Sequence, residues 1–185
     1  MRQSVLIPFV CTLLFSTPSV VALEVMTGFS PGGTAQTLVL TAISEAQQSI
    51  DVAAYSFTSK QVSLALLKAH KRGVVVRVLA DEKANSSQYT AVTFLANQGV
   101  SVRLTRQYKI MHNKFSVTDQ KSVQTGSFNY SAAADKSNAE NVLVLRDSPA
   151  TAGAYTNEFN RLWAEGYPLD SRYNYPADKT KGKVR

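Results

Sequence analysis

Cysteine is almost absent from this chain of 185 residues, which holds a single copy, Cys11. One thiol cannot form an internal disulfide, and cysteine-rich metal sites are excluded with it. Histidine is nearly as scarce, since only His70 and His112 occur. Two histidines so far apart in sequence do not have the spacing of metal ligands. We therefore expect no metal and no other cofactor.

Long apolar runs are missing outside the extreme N-terminus. Residues 1–22 combine Arg2, an apolar stretch over residues 5–15 and a small-residue end at residues 20–22, the pattern of a secretory signal peptide. A buried N-terminal helix is the alternative, but Pro8 and Pro18 would interrupt it. We expect export to the periplasm or beyond the cell, with no stable membrane insertion after the signal is removed.

Positive charge is in excess. Twenty Lys and Arg against 13 Asp and Glu give a formal net charge of +7, and the isoelectric point is near 9.6. Such a protein is attracted to polyanions, and both nucleic acids and anionic lipid surfaces meet that description. Candidate contacts near the ends of predicted strands are Lys83, Arg103, Arg106 and Lys109.

Strand-like and helix-like segments alternate along the chain, which predicts an α/β domain over residues 23–168. Predicted strands cover residues 23–29, 50–55, 74–80, 100–104, 109–118, 122–126 and 141–146. Predicted helices cover residues 34–47, 58–73 with a capping box from Thr58 to Gln61, 87–98 from Ser87, and a last one capped by Ser148-Pro149. Residues 169–185 are polar and are expected to form a flexible tail.

The most informative segment is the pair of strands around the turn Asp119-Gln120-Lys121, which predicts a hairpin. On an extended strand over residues 109–118, alternate side chains share a face. His112, Lys114, Ser116 and Thr118 would then lie on one chemical face, opposite an apolar one. Ser127 and Asn129 follow the second strand and can converge on the same place. A nucleophile beside a cation and amide donors suits a phosphodiester, because such donors stabilise charge on the phosphoryl oxygens.

These residues match the HKD motif of the phospholipase D superfamily, which the chain resembles over its whole mature length. The matching positions are His112, Lys114, Asp119, Gly126, Ser127 and Asn129. Flanking residues resemble the family too, namely Tyr55-Ser56-Phe57 and Glu140. The resemblance implies a phospholipase D-like sandwich, a mixed β-sheet flanked by helices on both faces, with one motif in this chain.

The resemblance also implies a double displacement through a phosphohistidine. His112 would be the nucleophile, and a second histidine would protonate the leaving oxygen. Lys114 and Asn129 would hold the phosphate with support from Ser127, and Glu140 would orient the imidazole. Asp119 belongs to the catalytic motif, but its position favours a role in the hairpin turn. His70 lies among basic residues at a predicted helix end and is interpreted as structural.

Because the chain carries one motif, the second histidine has to come from another subunit. We expect a two-fold symmetric homodimer with its active site across the interface.

Three functions remain open on the sequence. The first is a non-specific endonuclease that cleaves DNA, with RNA as a further candidate substrate. The second is a phospholipase D that cleaves phospholipid headgroups by the same chemistry. The third is a polyanion-binding module without catalytic activity.

Overall fold

A computed structural model describes residues 23–87 and 90–169. The predicted signal peptide lies outside the described residues, and so does the predicted tail apart from Leu169. Within the described ranges, none of the helices is both long and apolar enough to cross a membrane.

The described chain alternates strands and helices, as predicted. The strands are β1 (Glu24–Ser30), β2 (Ser49–Ala54), β3 (Val75–Asp81), β4 (Ser101–Thr105), β5 (Lys114–Thr118), β6 (Ser122–Gly126), β7 (Glu140–Arg146) and β8 (Tyr167–Pro168). The helices are α1 (Thr34–Glu45), α2 (Lys60–Lys71), α3 (Ala91–Asn97), α4 (Ala132–Lys136) and α5 (Pro149–Glu165), with a 3-10 turn at Lys83–Asn85.

All eight strands form one mixed sheet in the order β1-β7-β6-β5-β2-β3-β4-β8. β2, β3 and β4 are parallel, whereas β5, β6, β7 and β1 continue the sheet in antiparallel fashion. As a result, β1, β2 and β6 end at the same edge of the sheet at which β5 and β7 begin. This edge is called the upper edge below.

Helices cover both faces of the sheet, which confirms the predicted sandwich. α1, α2 and α3 pack on one face around a large apolar core that includes Val52, Leu66 and Val142. α5 packs on the other face, where Phe159 and Leu162 join Phe115 and Val123 in a second cluster. The last helix therefore docks on the sheet through apolar side chains.

Two predicted helix starts are wrong. α2 is capped by Ser59, whose Oγ accepts the N–H of Val62 at 3.3 Å, not by Thr58. Thr58 donates its own N–H to the carbonyl of Tyr130 at 2.8 Å, which keeps it outside the helix. α3 begins at Ala91 behind the cap Thr90, four residues later than Ser87.

The strand predicted over residues 109–118 is also too long. β5 begins at Lys114, which pairs with Ala54, the last residue of β2. With β2 finished, the preceding segment has no neighbouring strand there, and Met111 instead donates its N–H to Asp81 Oδ2 at 2.9 Å. His112 therefore lies just ahead of the sheet.

The predicted chemical face of β5 is largely interior. Ser116 and Thr118 are buried, and Ser116 shares a hydrogen bond with Gln124 at 3.3 Å. Gln124 also accepts from Tyr130 Oη at 2.7 Å. Of the four residues predicted to share that face, Lys114 and His112 alone reach the upper edge. Ser116 belongs to a buried polar contact between the strands.

The predicted hairpin between β5 and β6 is present. Asp119 and Gln120 have φ of 52° and 56° at the centre of the turn, where Asp tolerates the left-handed region better than most residues. The Asp119 carboxylate accepts N–H groups from Gln47, Gln48 and Ser49 at 2.7–3.1 Å. It therefore ties the hairpin to the start of β2.

These contacts set the ionisation of Asp119. Burial by itself raises the pKa of the carboxyl, but the three backbone N–H groups and the charge of Lys121 outweigh burial and lower the pKa below its ordinary value. A lowered pKa means that the ionised carboxylate is stabilised in the folded state.

Replacement of Asp119 by Ala is expected to lower the free energy of unfolding by about 1–3 kcal/mol near neutral pH, because three N–H groups lose a charged acceptor. The stabilisation is complete above the ordinary carboxyl pKa. It disappears as the pH falls through the lowered pKa of the folded state. Urea unfolding at several pH values measures the difference. Equal stability of parent and variant near neutral pH would show that these hydrogen bonds are dispensable.

Candidate active site

The upper edge of the sheet gathers five of the six predicted site residues. Lys114 opens β5 and His112 lies two residues ahead, while Ser127 and Asn129 follow β6. Glu140 opens β7 opposite Ser30, the last residue of β1. The antiparallel sheet brings these ends together although they are far apart in the sequence.

Lys114 is the buried cation of the site, with 7% of its surface exposed. Its ammonium donates to the carbonyl of His112 at 2.8 Å and lies 5.3 Å from the centre of the Tyr55 ring. Burial lowers the pKa of Lys114 below its ordinary value, and the charge of Glu140 offsets part of this effect. A bound phosphate would provide a negatively charged partner for this ammonium.

His112 is exposed at the mouth of the site, and its ring lies against Tyr55. The two ring centroids are 4.7 Å apart with an interplanar angle of 57°. Tyr55 follows the last residue of β2, so the sheet fixes the ring that supports the imidazole. The sequence had marked Tyr55 as part of a flanking pattern without a role, and its contact with both His112 and Lys114 emerges from the fold.

The end of β6 and the start of β7 approach each other closely. Ser127 Oγ accepts the backbone N–H of Asn141 at 3.0 Å, and Ser127 returns its own N–H to the Asn141 carbonyl at 3.2 Å. Gly126 is required here, since a Cβ would lie 2.2 Å from the Asn141 carbonyl oxygen and φ is +148°. Ser127 Oγ is the acceptor of the bond from the Asn141 N–H, so its hydroxyl hydrogen remains available for a ligand.

Asn129 is held between two fully buried aromatic residues, Phe128 and Tyr130. Its side-chain Oδ1 is buried without a hydrogen-bond partner among the described residues. A buried polar atom without a partner costs about 1–3 kcal/mol, so a ligand that satisfies the amide is favoured. Rotation of the Asn129 amide would put its NH2 group where Oδ1 now lies, and that group can donate hydrogen bonds to phosphoryl oxygens.

Glu140 is positioned by Asn138, whose amide donates to its Oε1 at 3.0 Å. The backbone carbonyl of Asn138 in turn accepts from Ser30 Oγ at 3.1 Å, which links the segment to β1. Asn138 was not singled out by the sequence, because no motif position marks it.

Asp119 is the predicted motif residue that does not join the others. It lies at the opposite end of β5, and its carboxylate is occupied by backbone N–H groups. His70 is equally remote, in the last turn of α2. Within residues 23–87 and 90–169, no three His, Cys, Asp or Glu side chains are grouped so that they could hold a metal ion.

Two of the basic candidates for polyanion contact are engaged elsewhere. Arg103 donates to the carbonyl of Trp163 at 2.7 Å, and its guanidinium carbon lies 4.8 Å from the centre of that ring. Arg106 lies over the ring of Tyr167 at 5.4 Å. Both therefore pack around the end of α5 and β8.

Comparison with known families agrees with the motif. A sequence model described as "Cardiolipin synthase, PLD-like domain" matches residues 39–163. Phospholipase D of Rickettsia conorii is 35% identical over 138 residues, 75% of this chain and 69% of that protein. The mitochondrial cardiolipin hydrolase of Xenopus laevis is 37% identical over 134 residues, 72% of this chain and 62% of that protein.

Solved structures agree as well. Nuc from Salmonella typhimurium, described as a phospholipase D family member, has a TM-score of 0.79 at 37% identity and covers 81% of this chain and 100% of its own. NucT from Helicobacter pylori shares the fold with a TM-score of 0.73 at 22% identity.

The chain belongs to the phospholipase D superfamily. It is a phosphodiester hydrolase, and its upper edge carries every position of the family motif except the aspartate in the hairpin.

Removal of the Tyr55 ring is expected to impair the site without unfolding the protein. Tyr55→Leu should lower kcat on a chromogenic aryl phosphodiester about tenfold, because His112 and Lys114 both lose a fixed neighbour. Tyr55→Phe keeps the ring and serves as the matched control, with kcat near that of the parent. An equal loss in both variants would assign the effect to the hydroxyl and refute this role of the ring.

Proposed function

We propose that this phosphodiesterase is a non-specific endonuclease that cleaves DNA without recognising a particular sequence. RNA is a further candidate substrate. The net charge of +7 on 185 residues supports a polyanionic substrate, and the similarity to Nuc of Salmonella typhimurium over 81% of this chain favours nucleic acid over an anionic lipid surface. The exposed His112 beside a buried Lys114 supports attack on a phosphate that arrives from solvent. We further propose export to the periplasm or the exterior, on the pattern of residues 1–22.

In the proposed mechanism, a ring nitrogen of His112 attacks phosphorus. A phosphorus–nitrogen bond forms as the phosphorus–oxygen bond to the leaving group breaks, and a second imidazole gives its proton to the departing oxygen. Water then attacks phosphorus, passes a proton to the second imidazole and releases His112. Donors on Lys114, Ser127 and Asn129 stabilise the negative charge on the phosphoryl oxygens throughout.

The second imidazole has to come from a second copy of the chain. The sequence contains two histidines, and His70 lies in α2 far from the upper edge. A homodimer whose two-fold axis passes through the site would bring two copies of His112 to one phosphate. Glu140 would accept a hydrogen bond from the ring nitrogen of His112 that does not attack, and so orient the imidazole.

An exposed apolar side chain beside the site supports such an interface. Phe29, next to the last residue of β1, is 60% exposed. Phe29 pairs in register with Asn141, which is hydrogen bonded to Ser127 of the site. A second copy that covers Phe29 would therefore also approach the upper edge.

A phospholipid is the second candidate substrate. The Rickettsia conorii relative is named phospholipase D, and the Xenopus laevis relative is named a cardiolipin hydrolase. In this chain Ile110, two residues ahead of His112, is 47% exposed and could contact a lipid surface. The phosphoryl chemistry would be the same.

The substrate classes can be separated with one pair of proteins. The mature parent should cleave plasmid DNA and leave the headgroups of cardiolipin-containing vesicles intact, and His112→Asn should abolish cleavage while DNA binding persists. Gel analysis of the plasmid and the appearance of phosphatidic acid from cardiolipin are the measurements. Rapid vesicle hydrolysis with intact plasmid would replace the nuclease proposal by the lipid one.

The dimer is tested by Phe29→Glu, which places a charge in the proposed interface. We expect a shift to monomer in analytical ultracentrifugation and a loss of activity of at least about tenfold at low protein concentration. Val75→Glu is the matched control, because Val75 is 62% exposed at the other end of the sheet and should tolerate the change. A parent that is fully active as a monomer would contradict the shared site.

A further inference from the structure

A cleft of about 370 Å³ opens beside the site on the face of the sheet that α5 covers. His112 and Lys114 line one part of it, and Phe115 and Thr125 come from the paired strands β5 and β6. Tyr155 and Glu158 line it from α5. The volume falls in the range of small-ligand pockets, and the lining residues Phe115, Tyr155 and Glu158 have no part in the proposed mechanism.

The aromatic wall of the cleft is rigid. The rings of Tyr155 and Phe115 meet edge to face, with centroids 4.9 Å apart and an interplanar angle of 80°. Phe115 is 3% exposed, so it anchors the half-buried Tyr155 against the sheet. A fixed aromatic side chain beside a phosphate site is suited to stacking with a nucleobase.

The polar wall of the cleft is the carboxylate of Glu158, which is held in position by Arg161. Arg161 donates to both oxygens of Glu158, at 2.7 Å and 2.8 Å, and also to Glu165 at 2.7 Å. The hydrogen bond from Arg161 is the main cause that lowers the pKa of Glu158 below its ordinary value. Glu158 therefore stays ionised, so it accepts hydrogen bonds and donates none.

A carboxylate that lines the same cleft as His112 is unsuited to a second phosphate, which it repels. It suits an amino group. Cytosine, adenine and guanine carry exocyclic amino groups, whereas uracil and thymine present carbonyl oxygens on either side of their ring N–H. Asn113 also lines the cleft and can add an amide contact to a base edge.

We propose that the cleft is a base subsite: the nucleotide next to the scissile phosphate places its base against Tyr155 and donates its amino group to Glu158. This inference rests on the proposed nuclease function and adds a local preference to it. Cleavage is favoured next to a base that carries an amino group, but a sequence of several bases is not recognised.

The test uses single-stranded oligo(dC) and oligo(dU), whose bases differ in the group at C4, amino in one and carbonyl in the other, and in the adjacent ring nitrogen, which carries a hydrogen only in uracil. The parent should cleave oligo(dC) with a kcat/KM about three- to tenfold higher than oligo(dU). Glu158→Gln should bring this ratio close to one, because the Gln amide can face either base. Glu165→Gln is the matched control, since it removes the other carboxylate partner of Arg161 outside the cleft and should leave the ratio unchanged.

Inhibition of the parent by dCMP and dUMP gives a second measurement that needs no variant, with dCMP expected to bind more tightly. Equal cleavage of both oligonucleotides by an active parent would overturn the base subsite and leave the nuclease function standing. A shift of the ratio in Glu165→Gln as large as in Glu158→Gln would overturn it too, because the effect would then act through Arg161. Cleavage of plasmid DNA but of neither oligonucleotide would overturn the subsite alone, whereas cleavage of neither the plasmid nor the oligonucleotides would overturn the nuclease function together with the subsite.

Discussion

The antiparallel insertion of β5 between β2 and β6 is the constraint on which the site depends. Ala54, the last residue of β2, pairs with Lys114, the first residue of β5. Thr125, near the end of β6, pairs with Phe115, so β2 and β6 both end beside the start of β5. Three chain segments that carry reactive groups are therefore forced to one edge of the sheet. Asp119 anchors the far end of β5 through the backbone of β2, so the register is held at both ends.

Within this frame lies the buried ammonium of Lys114, which has few favourable interactions in the free protein to replace its lost hydration. Desolvation of an ammonium costs several kcal/mol unless partners restore the lost interactions. Lys114 has the carbonyl of His112, the face of Tyr55 and the more distant charge of Glu140. A phosphate would complete this set. The proposed affinity for phosphate would thus follow from how the lysine is buried, and it would be the same for a nucleic acid and for a phospholipid.

The choice between a nucleic acid and a phospholipid has to depend on residues around the phosphate-binding groups, because those groups would bind either phosphate alike. The overall positive charge attracts nucleic acids and anionic lipid surfaces alike, and the exposed Ile110 beside His112 is a feature that a lipid surface could contact. The cleft between β5, β6 and α5 is the structural feature that could discriminate within one substrate class. Phe29 lies at the rim of the same edge, so association of two copies and completion of the site would be one event.

The sequence by itself determined the α/β class, the hairpin and the family, because alternation of apolar residues and the fixed gaps of the motif are local properties of the chain. It could not place the start of β5, since that depends on where β2 ends, nor recognise that Ser116 is interior. The contact of Tyr55 with His112, the link of Asn138 to Ser30 and the cleft at Glu158 join residues that are distant along the chain. Only tertiary packing decided them, because sheet register and helix docking set distances that no local pattern encodes.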